Sequence, residues 1–416
     1  MNETRSIQVS ALTRVEGEGG LHVRLCGDVV EDVRLTIYEP PRFFEGFLRG
    51  RALEEVPDIT ARICGICPVA YQMSAVHALE KALGVSVSPD MRRLRRLLYC
   101  GEWIESHGLH IHLLQAPDFF NAASGIELAQ RFPKEVTRGL QLKKIGNELL
   151  EVIGGRAIHP VNVAVGGFYR APDEDKVRAL IPRFEWGLQA AMDATRWVAA
   201  FEFPDFNRDY DMVCLSHPDE YPMNEGRVIS TSGLSIDVED YETRFAEHHV
   251  AHSTALHSLK TSDHSSYHVG PLARVNLNRD RLCEEARRLA DEVSLETVCR
   301  NPFKAIIARG LEMVHAFSEG LSILRGYRAF KPARIVFDSR AGEGCAATEA
   351  PRGLIYHRYQ IDDGGKIMRA KIVPPTSQNQ RQIELDLIDW LPRILHLNDQ
   401  QVADDCERLI RSYDPC

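Results

Sequence analysis

Arg62-Ile63-Cys64-Gly65-Ile66-Cys67-Pro68-Val69 is the stretch from which the rest of the chain is read. From Pro68 onward apolar side chains recur at helical spacing (Val69, Met73, Val76, Leu79, Leu83), and the run stops at Gly84. The two cysteines therefore stand at the start of a helix, where free N–H groups and the helix dipole favour ionised sulfur. Gly65 lets the backbone turn tightly between them. Three readings compete. Half of a zinc site wants a second Cys or His pair at finger-like spacing, and none follows. A redox dithiol wants a βαβ frame, which the helical sequence after Pro68 does not offer. The third reading is a metal site closed by a distant partner, and Asp414-Pro415-Cys416 stands at the other end of the chain.

Before the pair, IQVSAL, GLHVRL and VEDVRLTIYE alternate apolar and polar residues and predict three strands, with a hairpin turn at Cys26-Gly27-Asp28. After it the pattern is mainly helical. A long helix is expected from Ser88-Pro89-Asp90 to near Pro117, with others at about 134–153, 173–202, 279–293, 301–326, 380–393 and 398–411. Residues 204–275 read as irregular with short strands. KPARIVFD, GLIYHRYQID and KIMRAKIVPP read as strands, the last two joined by a turn at Asp362-Asp363-Gly364-Gly365. One α+β unit with a large helical centre, spanning 1–416, fits this order.

With 416 residues, 44% of them hydrophobic, the chain can bury a large core. A net charge of -9 argues against a nucleic-acid partner. No apolar run is long enough to span a membrane, and no secretory signal is visible, so a cytoplasmic protein is expected. Of ten cysteines, most stand alone in apolar or helical stretches and read as small buried hydrophobes. Only Cys64, Cys67 and Cys416 call for chemistry. The chain has neither iron–sulfur cysteine spacing nor a G-x-G-x-x-G, so no iron–sulfur cluster, flavin or nucleotide is expected in it.

With both cysteine motifs on the page, the chain resembles the large subunit of nickel-iron hydrogenases. That family carries an N-terminal R-x-C-G-x-C and a C-terminal D-P-C-x-x-C. Further matches follow in order along the whole chain: Leu12-Thr13-Arg14-Val15-Glu16-Gly17, Arg42-Phe43-Phe44-Glu45-Gly46, Ala116-Pro117-Asp118-Phe119, Glu349-Ala350-Pro351-Arg352-Gly353, and Pro375-Thr376 with Asn379. The resemblance implies a large central helical bundle with small antiparallel sheets formed by N-terminal and C-terminal strands. It implies a nickel-iron centre with carbon monoxide and cyanide on the iron. Cys64 and Cys416 would be terminal nickel ligands and Cys67 a nickel–iron bridge.

By the same resemblance Glu16 relays protons between a terminal cysteine and solvent. Arg352 lies over the metals as a charge stabiliser or rival base, and Asp118 holds its guanidinium. Pro351 and Thr376 complete the pocket, and Glu45 is a ligand of a remote Mg2+ or Fe site near the C-terminus. The implied partners are an iron–sulfur small subunit, flavin and iron–sulfur diaphorase-type subunits that pass electrons to NAD or NADP, and maturation factors including a C-terminal protease. His107, His110 and His112 read as hydrogen-bonded core or interface residues rather than metal ligands, with His107 expected to line the route toward the partner subunit. Two departures stand out. The family's histidine four residues after the second cysteine is Tyr71 here, and a fourth thiolate is expected three residues beyond Cys416, past the last residue given. The quinone-site subunit of respiratory complex I, which shares the fold but has lost the cysteines, is the alternative, with a non-catalytic subunit of the same fold behind it.

Overall fold

Alternation of Leu21, Val23 and Leu25 with polar neighbours makes the N-terminal residues a three-stranded antiparallel sheet: β1 (Thr4–Val9), β2 (Gly19–Cys26) and β3 (Val29–Ile37). The computed structural model describes residues 4–38 and 42–415, so Cys416 lies outside the described residues. The expected hairpin turn is present, with Gly27 at a φ of 59°.

The helical centre follows. It contains α1 (Pro68–Leu83), α2 (Pro89–Leu109), α3 (Pro133–Gly154), α4 (Ile181–Ala199) and α5 (Ala305–Gly326). Ser88 caps α2 by accepting the Met91 N–H, and Pro89 fills the first turn, where its missing donor costs nothing. α2 packs against both α3 and α5, and α5 against α4. The α2–α3 contact is backbone on backbone: a Cβ on Gly146 would stand 2.6 Å from the Gly101 carbonyl oxygen. Beyond Leu109 the backbone widens into a π turn (His110–Gln115) and then tightens into a 3-10 turn (Ala116–Phe120) that presents Asp118.

The C-terminal part forms a second antiparallel sheet, β4 (Gly342–Ala350), β5 (Gly353–Ile361) and β6 (Ile367–Val373), followed by α6 (Pro375–Ile394) and α7 (Asp399–Tyr413). Asn398 and Gln401 form a reciprocal cap at the start of α7. Ile383, Leu387 and Leu391 of α6 and Leu409 of α7 share one core with Leu21, Val23 and Leu35 of the N-terminal sheet. The two ends of the chain are thus one packing unit, set beside the larger core around α1, α2 and α5. Among the described residues no helix is long and apolar enough to cross a membrane.

Several expectations are corrected. KPARIVFD is not a strand. Pro332 removes a donor, Val336 is 95% exposed, and the pairing is limited to one bridge, Arg334 to Gly167, flanked by the Phe168 N–H to Ala333 (2.9 Å) and Ile335 N–H to Gly166 (2.8 Å) hydrogen bonds. The expected helix 173–202 is two, Glu174–Arg178 and α4, and the second restarts at Ile181-Pro182. The helix expected at 279–293 is Glu284–Glu292, preceded by a separate helix, Pro271–Asn278. Residues 204–275 hold the expected short strands, in two small antiparallel sheets.

β4 was not expected, because Gly-Glu-Gly-Cys-Ala-Ala shows no alternation. Its small residues serve instead to lay the strand directly on α1. A Cβ at Gly344 would lie 2.5 Å from the Ala82 nitrogen and closer still to the Ala78 carbonyl. Gly344→Ala should therefore destabilise the full chain by about 1–3 kcal/mol, as overpacking against rigid backbone does. An unchanged urea midpoint would show that strand and helix do not meet this closely.

Candidate metal centre

Cys64 ends a 3-10 turn (Ala61–Ile63) in extended conformation, and Cys67 is the residue that caps α1. Both sulfurs are buried. Cys64 Sγ accepts the backbone N–H groups of Ile66 (3.5 Å) and Cys67 (3.4 Å). These donors favour thiolate over thiol. Behind them Glu102, from the buried face of α2, accepts the free N–H groups of Val69 (2.5 Å) and Ala70 (3.2 Å) at the start of α1. Glu102 thereby fixes the angle at which α1 presents the pair. Its own pKa is pushed well up by burial, against the Val69 hydrogen bond.

Cys64 borders a cavity of about 620 Å³ together with Glu16, Gly17, Arg62, Tyr71 and Pro415. Glu16 comes from the loop between β1 and β2. Burial raises the pKa of its carboxyl; Arg352 opposes the shift, and the negative charges of Cys64 and Asp414 add to it. Arg352 sits in the tight turn between β4 and β5 and is buried; its Nη2 donates to Asp414 Oδ1 at 3.0 Å. Asp414 is in the left-handed region (φ 56°), turning the chain off α7 toward the cavity. A small adjoining cleft is lined by Arg352, Pro375, Thr376, Asn379, Asp414 and Pro415. Glu16, Cys64, Arg352, Thr376 and the Asp414-Pro415 stretch come from five separate segments, and the fold gathers them in one place.

Comparisons with known proteins show the family and the fold. The sequence profile of the nickel-dependent hydrogenases matches residues 42–138. The alpha subunit of sulfhydrogenase 2 from Pyrococcus furiosus is 32% identical over 413 residues, covering 99% of this chain and 97% of the relative. The chain belongs to the nickel-dependent hydrogenase family. The beta subunit of the NAD-reducing hydrogenase HoxS from Cupriavidus necator is 26% identical, over 99% of this chain and 94% of its own. The fold is shared with a solved NAD+-reducing NiFe-hydrogenase in its H2-reduced state, with a TM-score of 0.91 at 24% identity over 99% of this chain and 98% of that one.

As a hydrogenase large subunit, the chain must hold nickel. The donor set fits: two buried sulfurs, one of them accepting two backbone N–H groups, are soft ligands of the kind nickel takes. The buried Arg352 guanidinium and the Thr376 hydroxyl supply donors for small anionic groups at the same site.

One expected role is corrected. Asp118 does not serve as the carboxylate of Arg352. It is held by Arg14 (2.5 Å) and by both arms of Arg411 (2.8 and 2.9 Å), while Asp414 takes Arg352. The 3-10 turn aims Asp118 at α7 and the N-terminal loop, so this carboxylate fastens the first segment of the hydrogenase to its last helix. Glu45 is directed away from the cysteines, its Oε1 accepting the Ile372 N–H of β6 at 2.9 Å. Burial raises its pKa, against that bond.

Where relatives have histidine, Tyr71 lines the cavity with its ring centroid 5.8 Å from that of His357 on β5. His357 is buried and neutral, its pKa pushed down to about 3, and its Nδ1 is 2.8 Å from the Tyr359 hydroxyl. Of the helix histidines, His107 pairs with Glu312 (2.9 Å) inside the core, and His110 Nε2 meets the Arg411 carbonyl (2.9 Å) with Asp414 Oδ1 at 3.6 Å.

Sequence reasoning missed Arg274 altogether. All five of its N–H groups are used: two on Glu312 (2.6 and 2.7 Å), one on Glu349 (3.0 Å), and one each on the carbonyls of Ala350 (2.8 Å) and Pro351 (2.9 Å). The guanidinium also lies 4.5 Å from the Trp103 ring centroid. It thus pins the two residues that lead into Arg352. Burial works against the Glu312 charge, but Arg274 and His107 hold its pKa at about 2. Burial pushes Glu349 up to about 7 against the same arginine.

Proposed function

We propose that this chain is the catalytic subunit of a nickel-iron hydrogenase that cleaves H2 heterolytically and reversibly, H2 ⇌ 2H+ + 2e−. The observation that carries this reading is the presence of Pro415 on the same cavity wall as Cys64 and Glu16. Cys416 follows Pro415 directly in the sequence. Cys64, Cys67 and Cys416 would hold the nickel-iron group through their sulfurs. When bound, the nickel-iron group, with carbon monoxide and cyanide on its iron, supplies the Lewis acidity and redox capacity that polarise H2.

The chain's own residues handle the proton. Cys416 Sγ accepts it and passes it to the Glu16 carboxyl, whose raised pKa lets it act as acid and base in turn. Arg352, held by Asp414, would present its positive charge to the bound group, and the Thr376 hydroxyl would offer it a hydrogen-bond donor. Pro351 shapes the same wall from the β4–β5 turn, with its carbonyl fixed by Arg274.

Electrons leave through an iron–sulfur small subunit and pass, through flavin and iron–sulfur subunits, to NAD or NADP. The likeness to a subunit of an NAD-reducing hydrogenase supports that route. Tyr38 and Phe43, both exposed at the cavity rim, supply apolar surface for a protein partner. Glu45 remains our candidate ligand of a Mg2+ or Fe site near the C-terminus, with maturation by a C-terminal protease and a cytoplasmic location as parts of the same reading. The test is an infrared spectrum of the purified complex together with H2/D+ exchange. Bands from iron-bound carbon monoxide and cyanide are expected alongside exchange. A nickel-loaded complex showing neither would sink the proposal.

A further inference from the structure

Far along α6 from Thr376, two histidines and a carboxylate converge. His252 lies in the turn between the strands Phe245–His248 and His257–Lys260, His257 opens the second of these strands, and Glu384 projects from the middle of α6. Glu384 Oε1 is 2.8 Å from His252 Nε2 and 4.0 Å from His257 Nε2, and one ligand atom from each residue lies within 4.8 Å of the others. His257 is 3% exposed, and its Nε2 has no hydrogen-bond partner among the described residues. A buried imidazole nitrogen is costly to leave unsatisfied, so its orientation toward a carboxylate and a second imidazole asks for a shared ligand.

We propose that His252, His257 and Glu384 bind one divalent transition-metal ion, Zn2+ by preference, which fastens α6 to the Phe245–Lys260 hairpin at a site separate from the cysteines. Two imidazoles and one carboxylate are a donor set for zinc or ferrous iron, with no sulfur to draw in softer ions. Bonds of about 2.0–2.2 Å set donors about 3.4 Å apart in a tetrahedron, so His252 and Glu384 need only part slightly while His257 closes in. The carboxylate is already oriented: its Oε1 accepts the Leu35 N–H of β3 at 3.1 Å, and its Oε2 accepts from Arg381 at 3.0 Å. Such outer contacts are what aim a metal ligand. A cleft of about 340 Å³, lined by Asp32, Arg34, His252, Arg381 and Glu384, gives entry and room for water as a fourth ligand. Arg381 competes for the carboxylate, but its side chain is 40% exposed and can turn into solvent.

The consequence is mechanical. α6 carries Thr376 in its first turn, and the ion would hold that helix to the hairpin while Glu384 also holds β3.

Cobalt is the probe, added to the full-length chain stripped of metal. At this site Co2+ should give visible d–d bands without the near-ultraviolet sulfur-to-cobalt charge transfer that marks binding at Cys64 and Cys67, and Zn2+ should remove those bands by competition. His252→Ala changes a turn residue whose side chain is 22% exposed, and Glu384→Gln keeps an acceptor for Leu35. Each should weaken the sulfur-free cobalt signal by at least about 100-fold, the upper range for loss of even a supporting contact. The sulfur bands should persist in both variants. Equal sulfur-free binding by wild type and both variants, or none in the wild type, would overturn the assignment. Neither result bears on H2 cleavage.

Discussion

Glu16→Gln is expected to cut H2/D+ exchange by about 10²–10⁴-fold, the usual worth of a positioned acid–base group, while nickel content stays at the wild-type level. The substitution preserves shape and removes only the ability to carry a proton. Glu16 lies on the cavity shared with Cys64 and Pro415, within electrostatic reach of Arg352, Cys64 and Asp414. Burial is the first cause of its raised pKa. Metal analysis separates a proton defect from a loading defect. Wild-type exchange in a nickel-loaded Glu16→Gln enzyme would remove the relay from the mechanism.

Arg274→Leu should have the largest effect on stability, about 3–5 kcal/mol, because it strands a charge inside the core. Arg274 and Glu312 are fully buried, and the arginine is bonded to both Glu312 and Glu349. Without it Glu312 keeps only the Tyr221 hydroxyl (2.8 Å) and His107 (2.9 Å). The double variant Arg274→Leu/Glu312→Gln should recover much of the loss, since it removes the stranded charge together with its partner. Urea titration of the full chain measures both. If the single and double variants unfold at the same concentration, the cost lies in packing around Trp103 and not in charge.

The cysteine pair was legible because sulfur at a helix start is a local pattern: Cys64-Gly65-Ile66-Cys67 can be read without knowing what surrounds it. The long helices were legible for the same reason, their apolar spacing being carried by consecutive turns. What failed depended on a partner remote in sequence. β4 hides behind glycine and alanine because its pattern answers to the backbone of α1 and not to water. KPARIVFD alternates well enough to pass for a strand, yet it pairs only briefly, with Gly166–Phe168, and does not extend into a ladder. Asp118 and Asp414 are both carboxylates near buried arginines, and only the fold decides that Arg411 takes the first and Arg352 the second. Arg274 gives no signal at all, since a lone arginine in a short helix looks like a surface residue until Glu312 and Glu349 are brought against it.

The double grip on Asp118 also sets a timetable. Arg14 and Arg411 meet on that carboxylate, and nearby the Thr13 hydroxyl donates to Glu407 at 2.7 Å across 394 positions of sequence. At the usual pace of translation, about 5–20 residues per second, the N-terminal loop waits roughly 20–80 s on the ribosome for the helix that latches it. Throughout that interval Cys64 and Cys67 can already stand at the head of their helix while the far wall of the cavity does not yet exist. Until the last described helix is made, the wall that Asp414 and Pro415 add to the cavity is missing.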